Sequence, residues 1–125
     1  MNVRLTCLAA ALALASVGFA SESKGQSRYL AKPLIGDFYM YGGSIGDSTP
    51  PTEKDRKLSL MMTGPLAKDL FDHLGPDVKD ACGAGPDQRE RSKGDLTCIW
   101  AKGEGYSCYI GLDVKTGKSM SGTVC

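Results

Sequence analysis

The sequence predicts an α+β domain: a small antiparallel sheet with a C-terminal three-stranded, disulfide-linked meander and one packed helix. Three observations predict it. Residues 95–125 hold three of the five cysteines and the single tryptophan, and their apolar residues alternate with period two between glycine-bearing turns. Residues 63–76 place apolar side chains at helical spacing between a Thr-Gly-Pro start and a Gly-Pro stop. Residues 34–41 and 58–62 are short β-forming runs ahead of that helix. Strand, strand, helix and three strands in that order make an α+β chain with an antiparallel sheet.

Residues 1–20 read as an export signal. Arg4 supplies the positive start, residues 8–17 are apolar and Ala-rich, and Gly18-Phe19-Ala20 puts small residues at a cleavage site. The apolar run is too short to span a membrane. Cys7 precedes that run rather than following it, which argues against a lipid anchor. Residues 21–33 are expected to be a flexible N-terminal segment, and residues 34–125 a single domain. Removing 20 of the 125 residues leaves 105, and Arg4 is the only charge lost, so 14 basic side chains stand against 14 acidic ones. That balance leaves no electrostatic footprint for nucleic acid or an anionic membrane.

Residues 34–41 are rich in aromatic residues and give the first strand. Residues 42–57 read as a loop with two glycines at its start, Gly46-Asp47, and Pro50-Pro51 for stiffness. Residues 58–62 give the second strand. Thr63 is placed to cap the helix and Pro65 suits its first turn. Leu66, Leu70, Phe71 and Leu74 form its apolar stripe, with Ala67 beside them. Residues 77–94 read as an irregular, charged return, and Arg89, Arg91 and Lys93 in it as a solvated basic run.

In the meander, a loop of residues 103–105 would set Trp100 opposite Cys108 and Cys98 opposite Ile110. Both apolar sets then share the face under the helix stripe, where Trp100 is expected to be buried. A turn at residues 113–118 leads to a last strand that runs to the C-terminus. Cys82, Cys98, Cys108 and Cys125 are expected to form two disulfides, as in small exported domains. Three pairings are possible. The offset of Cys98 from Cys108 favours Cys82–Cys98 with Cys108–Cys125. Gaps of 16, 10 and 17 residues with no paired short spacing argue against zinc.

The residues carry little catalytic chemistry. His73 is the one histidine, and Asp69, Asp72, Asp77 and Asp80 lie near it in sequence. With no second neutral ligand and no calcium-loop spacing, the group reads as a solvated helix face. Ser21-Glu22-Ser23-Lys24 and Lys115-Thr116-Gly117 match fragments of penicillin-binding enzymes, but one sits in the N-terminal segment, the other in a turn, and the Ser-Asp-Asn element is missing. Oxidised cysteines leave no thiol nucleophile. Tyrosine combines contact area with a polar tip, so the candidate binding residues are Tyr39, Tyr41 and Tyr109, with Asp47 in the loop beside them. Tyr109 falls on the sheet face opposite the core.

The combination Thr63-Gly64-Pro65, Leu70, Leu74-Gly75-Pro76-Asp77, Cys82, Gly94-Asp95-Leu96-x-Cys98, Tyr106-x-Cys108-Tyr109-x-Gly111-x-Asp113-x-Lys115-x-Gly117 and Gly122-x-x-Cys125 resembles a group of small exported bacterial proteins with a four-cysteine framework. In size, export and lack of a catalytic motif, the chain is similar to periplasmic immunity proteins that neutralise secreted antibacterial toxins, and to periplasmic lysozyme inhibitors. The Ser119-Met120-Ser121-Gly122 segment departs from the Ser-Gly-x-x-Tyr pattern of one inhibitor family, because Cys125 stands where Tyr would be. The resemblance implies a periplasmic or secreted module without catalysis or cofactor, whose partner is another protein, a toxin or a cell-wall enzyme. The alternatives are a small exported hydrolase using His73 and a structural component of an envelope assembly.

Overall fold

The alternating runs pair into one antiparallel sheet. A computed structural model describes residues 30–124. The expected export signal, most of the segment after it, and Cys125 lie outside the described residues. The elements are β1 (Gly36–Ser44), β2 (Asp47–Thr49), β3 (Lys57–Thr63), α1 (Gly64–His73), β4 (Gln88–Lys93), β5 (Leu96–Ala101), β6 (Gly105–Asp113) and β7 (Ser119–Met120). The strands lie in the order β2-β1-β3-β6-β5-β4, with β7 beside β6. Every pairing is antiparallel.

This corrects the expected fold class. Among the described residues seven strands stand against one helix of 10 residues, so the fold is mainly antiparallel sheet rather than α+β with a small sheet. Two elements account for the difference. The expected loop at residues 42–57 begins as a hairpin, since β1 runs on to Ser44 and returns through β2 with Ser44 opposite Asp47. The expected irregular return contains β4, which pairs along β5 from Gln88↔Ala101 to Lys93↔Leu96. The meander is corrected too. Its third strand is only two residues long, and the chain then leaves the sheet edge and crosses the sheet face.

The β5–β6 register differs by one step of the pleat from the expected one. The turn is residues 102–104, closed by Ala101↔Gly105, with Gly103 and Gly105 at φ of +86° and +90°. Glycine takes that left-handed conformation without steric cost. Cys98 therefore lies directly opposite Cys108, and Trp100 opposite Tyr106. The direct pair is the disulfide: Cys98 is bonded to Cys108. This overturns the favoured pairing of Cys82–Cys98 with Cys108–Cys125. Cys82 is itself disulfide-bonded, with its partner outside the described residues. Because the shift is by an even number of residues, the two apolar sets still share one face.

That face carries the core. Ala67 and Phe71 of α1 are buried against Met62, Cys98 and Cys108, with Leu60, Leu70, Leu74, Leu96, Trp100, Tyr106 and Ile110 packed around them. Trp100 is on the expected face but half-buried, and Leu66 at the start of the stripe is 42% exposed. Phe71 is 1% exposed, and its ring meets Tyr106 edge-on at 5.2 Å between centroids. Thr63 stands at the helix N-cap but makes no side-chain cap. Its amide donates to the Ile35 carbonyl at 2.8 Å instead, which ties the chain before β1 to the helix start.

β4 holds the other end of the helix with charge rather than apolar surface. Arg91 lies 4.4 Å from the Phe71 ring centroid and Arg89 5.4 Å. Arg91 Nη1 donates to the Phe71 carbonyl at 2.9 Å, one of the acceptors a helix C-terminus leaves open. Asp77 accepts from Arg89 Nε at 2.6 Å and from Arg91 Nε at 2.8 Å. The basic run is thus a strand with two arginines committed to the core's rim, not a solvated loop.

Candidate functional site

Strand pairing sorts side chains onto two faces, and the outer one, away from α1, is where the candidate residues gather. Successive residues of a strand point to opposite faces, and facing residues of paired strands share one. Asp37, Met61, Tyr109 and Thr97 therefore form one row across β1, β3, β6 and β5, and Tyr39, Ser59 and Gly111 form the next. Ile99 and Glu90 follow on the same face of β5 and β4.

The C-terminal segment lies across this face as a strap. Ser59, buried on the face, donates its hydroxyl to the Gly122 carbonyl at 2.6 Å. Gly122 is pressed so close to β6 that a Cβ there would fall 2.4 Å from the Ile110 carbonyl carbon. Only a residue without a side chain lets the two backbones approach like this. The strap divides the face into hollows. One of about 230 Å³ has Ser59 and Met61 among its lining residues, with Asp37, Phe38 and Tyr39 from β1 and Tyr109 from β6. Ile45, from the β1–β2 turn, and Thr123 and Val124, from the strap, line it as well. A second, of about 310 Å³, takes Met61 and Tyr109 together with Gln88, Ile99 and Glu104. A third, of about 320 Å³, lies beside the strap against Cys82, Glu90 and Ile99.

Of the sequence-predicted residues, Tyr39 and Tyr109 meet in the first hollow. Tyr39 is 46% exposed, and its neighbour Phe38 is 70% exposed. Tyr41 is buried, with its ring 5.3 Å from that of Tyr39. Its hydroxyl has no hydrogen-bond partner among the described residues, and burial pushes its pKa above the usual phenol value. Tyr41 thus sits behind Tyr39 rather than on the surface. Next to it Lys57 pairs with Asp55 and donates to the Gly43 carbonyl at 2.8 Å, while the Gly43 amide donates to Asp55 Oδ2 at 2.7 Å. The hydrogen bond from Lys57, then that from Gly43, hold the Asp55 carboxyl below its ordinary pKa. This network closes the base of the hairpin. Asp47 is exposed on β2 and lines none of the three hollows.

His73 is elsewhere. It ends α1 with its side chain 78% exposed, Nδ1 lying 2.7 Å from the Asp69 carbonyl and 3.7 Å from the Asp69 carboxylate. Asp72 pairs with Lys68 one turn back, and Asp77 with the two arginines. Asp69, Asp72 and Asp77 are therefore spent on helix-surface and rim contacts. Among the described residues no group of three His, Cys, Asp or Glu is placed to hold a metal ion.

Asp37, Met61, Gln88, Glu90, Ile99 and Glu104 were not singled out from the sequence. The only signal for them is strand parity: once Tyr109 is set on the outer face, its cross-strand partners follow. Those partners depend on which strands pair, and β4 was not visible as a strand.

Another hollow, of about 720 Å³, lies at the start of α1, where Leu34, Ile35, Pro65 and Leu66 expose apolar surface. No helix among the described residues is long and apolar enough to cross a membrane. The Cys98–Cys108 disulfide is compatible with an oxidising compartment outside the cytosol. Comparison with models of protein families, with curated proteins and with solved structures gives no match.

Proposed function

We propose that this is an exported protein-binding module without catalysis, of the immunity or inhibitor type, acting in the periplasm or outside the cell on a toxin or cell-wall enzyme. One observation carries the reading. Tyr39 and Tyr109, singled out for interface chemistry, line one hollow on the sheet face that the helix leaves uncovered. A rigid sheet tied by a disulfide loses little entropy when a partner docks on it, which favours recognition. Aromatic side chains set around small hollows are the usual anchors of protein interfaces. His73, exposed on the far end of the helix and outside the hollows, has the placement of a surface residue rather than of a general base, which needs an enclosed, oriented position.

The test compares partner capture from envelope extract by the wild-type protein, by a Tyr39→Ala/Tyr109→Ala variant and by His73→Ala, each first checked for folding. Capture lost in the tyrosine variant and kept in His73→Ala supports the module. Loss in His73→Ala alone, with the tyrosine variant active, replaces it with the hydrolase reading.

A further inference from the structure

The charges that line the three hollows of the outer face are all of one sign, although the chain as a whole is balanced. Each pair of the three hollows shares two lining residues: Met61 and Tyr109, Gln88 and Ile99, Thr123 and Val124. They form one continuous surface around the strap. Its lining includes three carboxylates, Asp37, Glu104 and Glu90, one in each hollow. It includes no lysine, arginine or histidine, in a chain with 15 basic and 14 acidic side chains.

Five of the basic side chains are held in pairs of their own. Arg89 and Arg91 lie over Phe71 and pair with Asp77 on the helix side. Lys68 pairs with Asp72, and Lys102 with Asp87. Lys57, at the β1–β3 end of the outer face, is bound by Asp55 and the Gly43 carbonyl. Asp37, Glu90 and Glu104 make no ion pair among the described residues. The aromatic lining adds to the same preference, because the faces of Tyr39 and Tyr109 carry negative quadrupole density that attracts ammonium and guanidinium groups. Three carboxylates around hollows with aromatic and thioether surface are complementary to a basic protein surface whose lysine or arginine side chains enter them. A nucleic acid or an anionic lipid would be repelled.

We infer that the outer face docks a basic protein partner, with lysine or arginine side chains seated in the hollows on either side of the strap. The inference rests on the reading of this face as the recognition surface and names the chemistry of what it recognises. The probe is a peptide, acetyl-Gly-Arg-Gly-Lys-Gly-amide, with an analogue that has citrulline for arginine and norleucine for lysine. It is titrated into the isotopically labelled protein, purified after export, and followed by amide NMR shifts. The charged peptide should shift Met61, Ile99 and Tyr109 in a saturable way in the millimolar range, and about 0.5 M salt should weaken it about tenfold. A variant with Asp37→Asn, Glu90→Gln and Glu104→Gln, all changes near the surface, should weaken it by a similar factor and keep its fold. Equal binding of the neutral analogue, shifts confined to the α1 side, or no saturable shift overturns the inference. Partner capture then separates the two levels. If the triple variant keeps capture while Tyr39→Ala/Tyr109→Ala loses it, the module stands and the basic-partner inference fails.

Discussion

Replacing Phe71 by Ala tests how the helix is seated on the sheet. Phe71 is 1% exposed, its ring meets Tyr106 edge-on, and it carries the guanidinium of Arg91 at 4.4 Å. Truncating a buried phenylalanine costs about 3–5 kcal/mol through lost transfer energy and the cavity left behind. Of this, about 0.5–1.5 kcal/mol belongs to the aromatic pair. Leu66, five residues earlier on the same helix, is 42% exposed, so Leu66→Ala should cost less than about 1 kcal/mol. The contrast matters because the apolar stripe read from sequence gives the two residues equal weight. Urea unfolding, followed by Trp100 fluorescence and far-UV circular dichroism, measures both. With a slope of about 1–2 kcal/mol per molar, Phe71→Ala should lower the midpoint by about 2 M or more, while Leu66→Ala barely moves it. Phe71→Ala spends a large share of the ~5–15 kcal/mol that holds a domain folded. Comparable losses for the two variants would mean that α1 presents a different face to the sheet, and the core described above would be wrong.

Two other outcomes follow from the same packing. Proteolytic peptides from the oxidised protein should contain Cys98 linked to Cys108, and Cys82 linked to Cys125, which follows Val124 at the hollow that Cys82 also lines; replacing Cys98 and Cys108 by Ala should cost about 2–3 kcal/mol for a loop of this length, and a Cys82–Cys98 peptide would refute the register. The hydrogen bonds from Arg89 and then Arg91 pull the Asp77 carboxyl down to about 2, so the rim pair contributes its stability above pH ~4 and loses it as pH falls toward 2; Asp77→Asn should lower stability at neutral pH and flatten the acid limb of a stability-versus-pH curve between pH 4 and 2, whereas an unchanged acid limb would show that the pair does not hold the helix end.

The amino-acid sequence by itself determined what is local. The alternation of Leu96, Cys98 and Trp100, and of Tyr106, Cys108 and Ile110, put them in strands with one shared face, because side-chain period is a property of the strand alone. Thr63-Gly64-Pro65 and Gly75-Pro76 bracketed the helix, because proline and glycine restrict or free the backbone wherever they stand. The outward position of Tyr109 followed from the same parity.

Tertiary structure decided what depends on a partner strand. Gln88-Arg-Glu-Arg-Ser-Lys93 has no apolar alternation, because its inward residues are arginines whose guanidinium planes cover the Phe71 ring where a strand would otherwise present valine or isoleucine. No periodicity reports such a strand, so the sheet reads as smaller than it is and the class as α+β. Register between strands was equally out of reach. Shifting β5 against β6 by two residues preserves every face, and the hydrophobic pattern cannot choose between the alternatives. The turn closed by Ala101↔Gly105 chooses, and with it the Cys98–Cys108 bond. The candidate site is the extreme case. Tyr39 and Tyr109 are 70 positions apart in sequence. They share a hollow only because β1, β3 and β6 are neighbours and Gly122 lets the strap lie against the sheet.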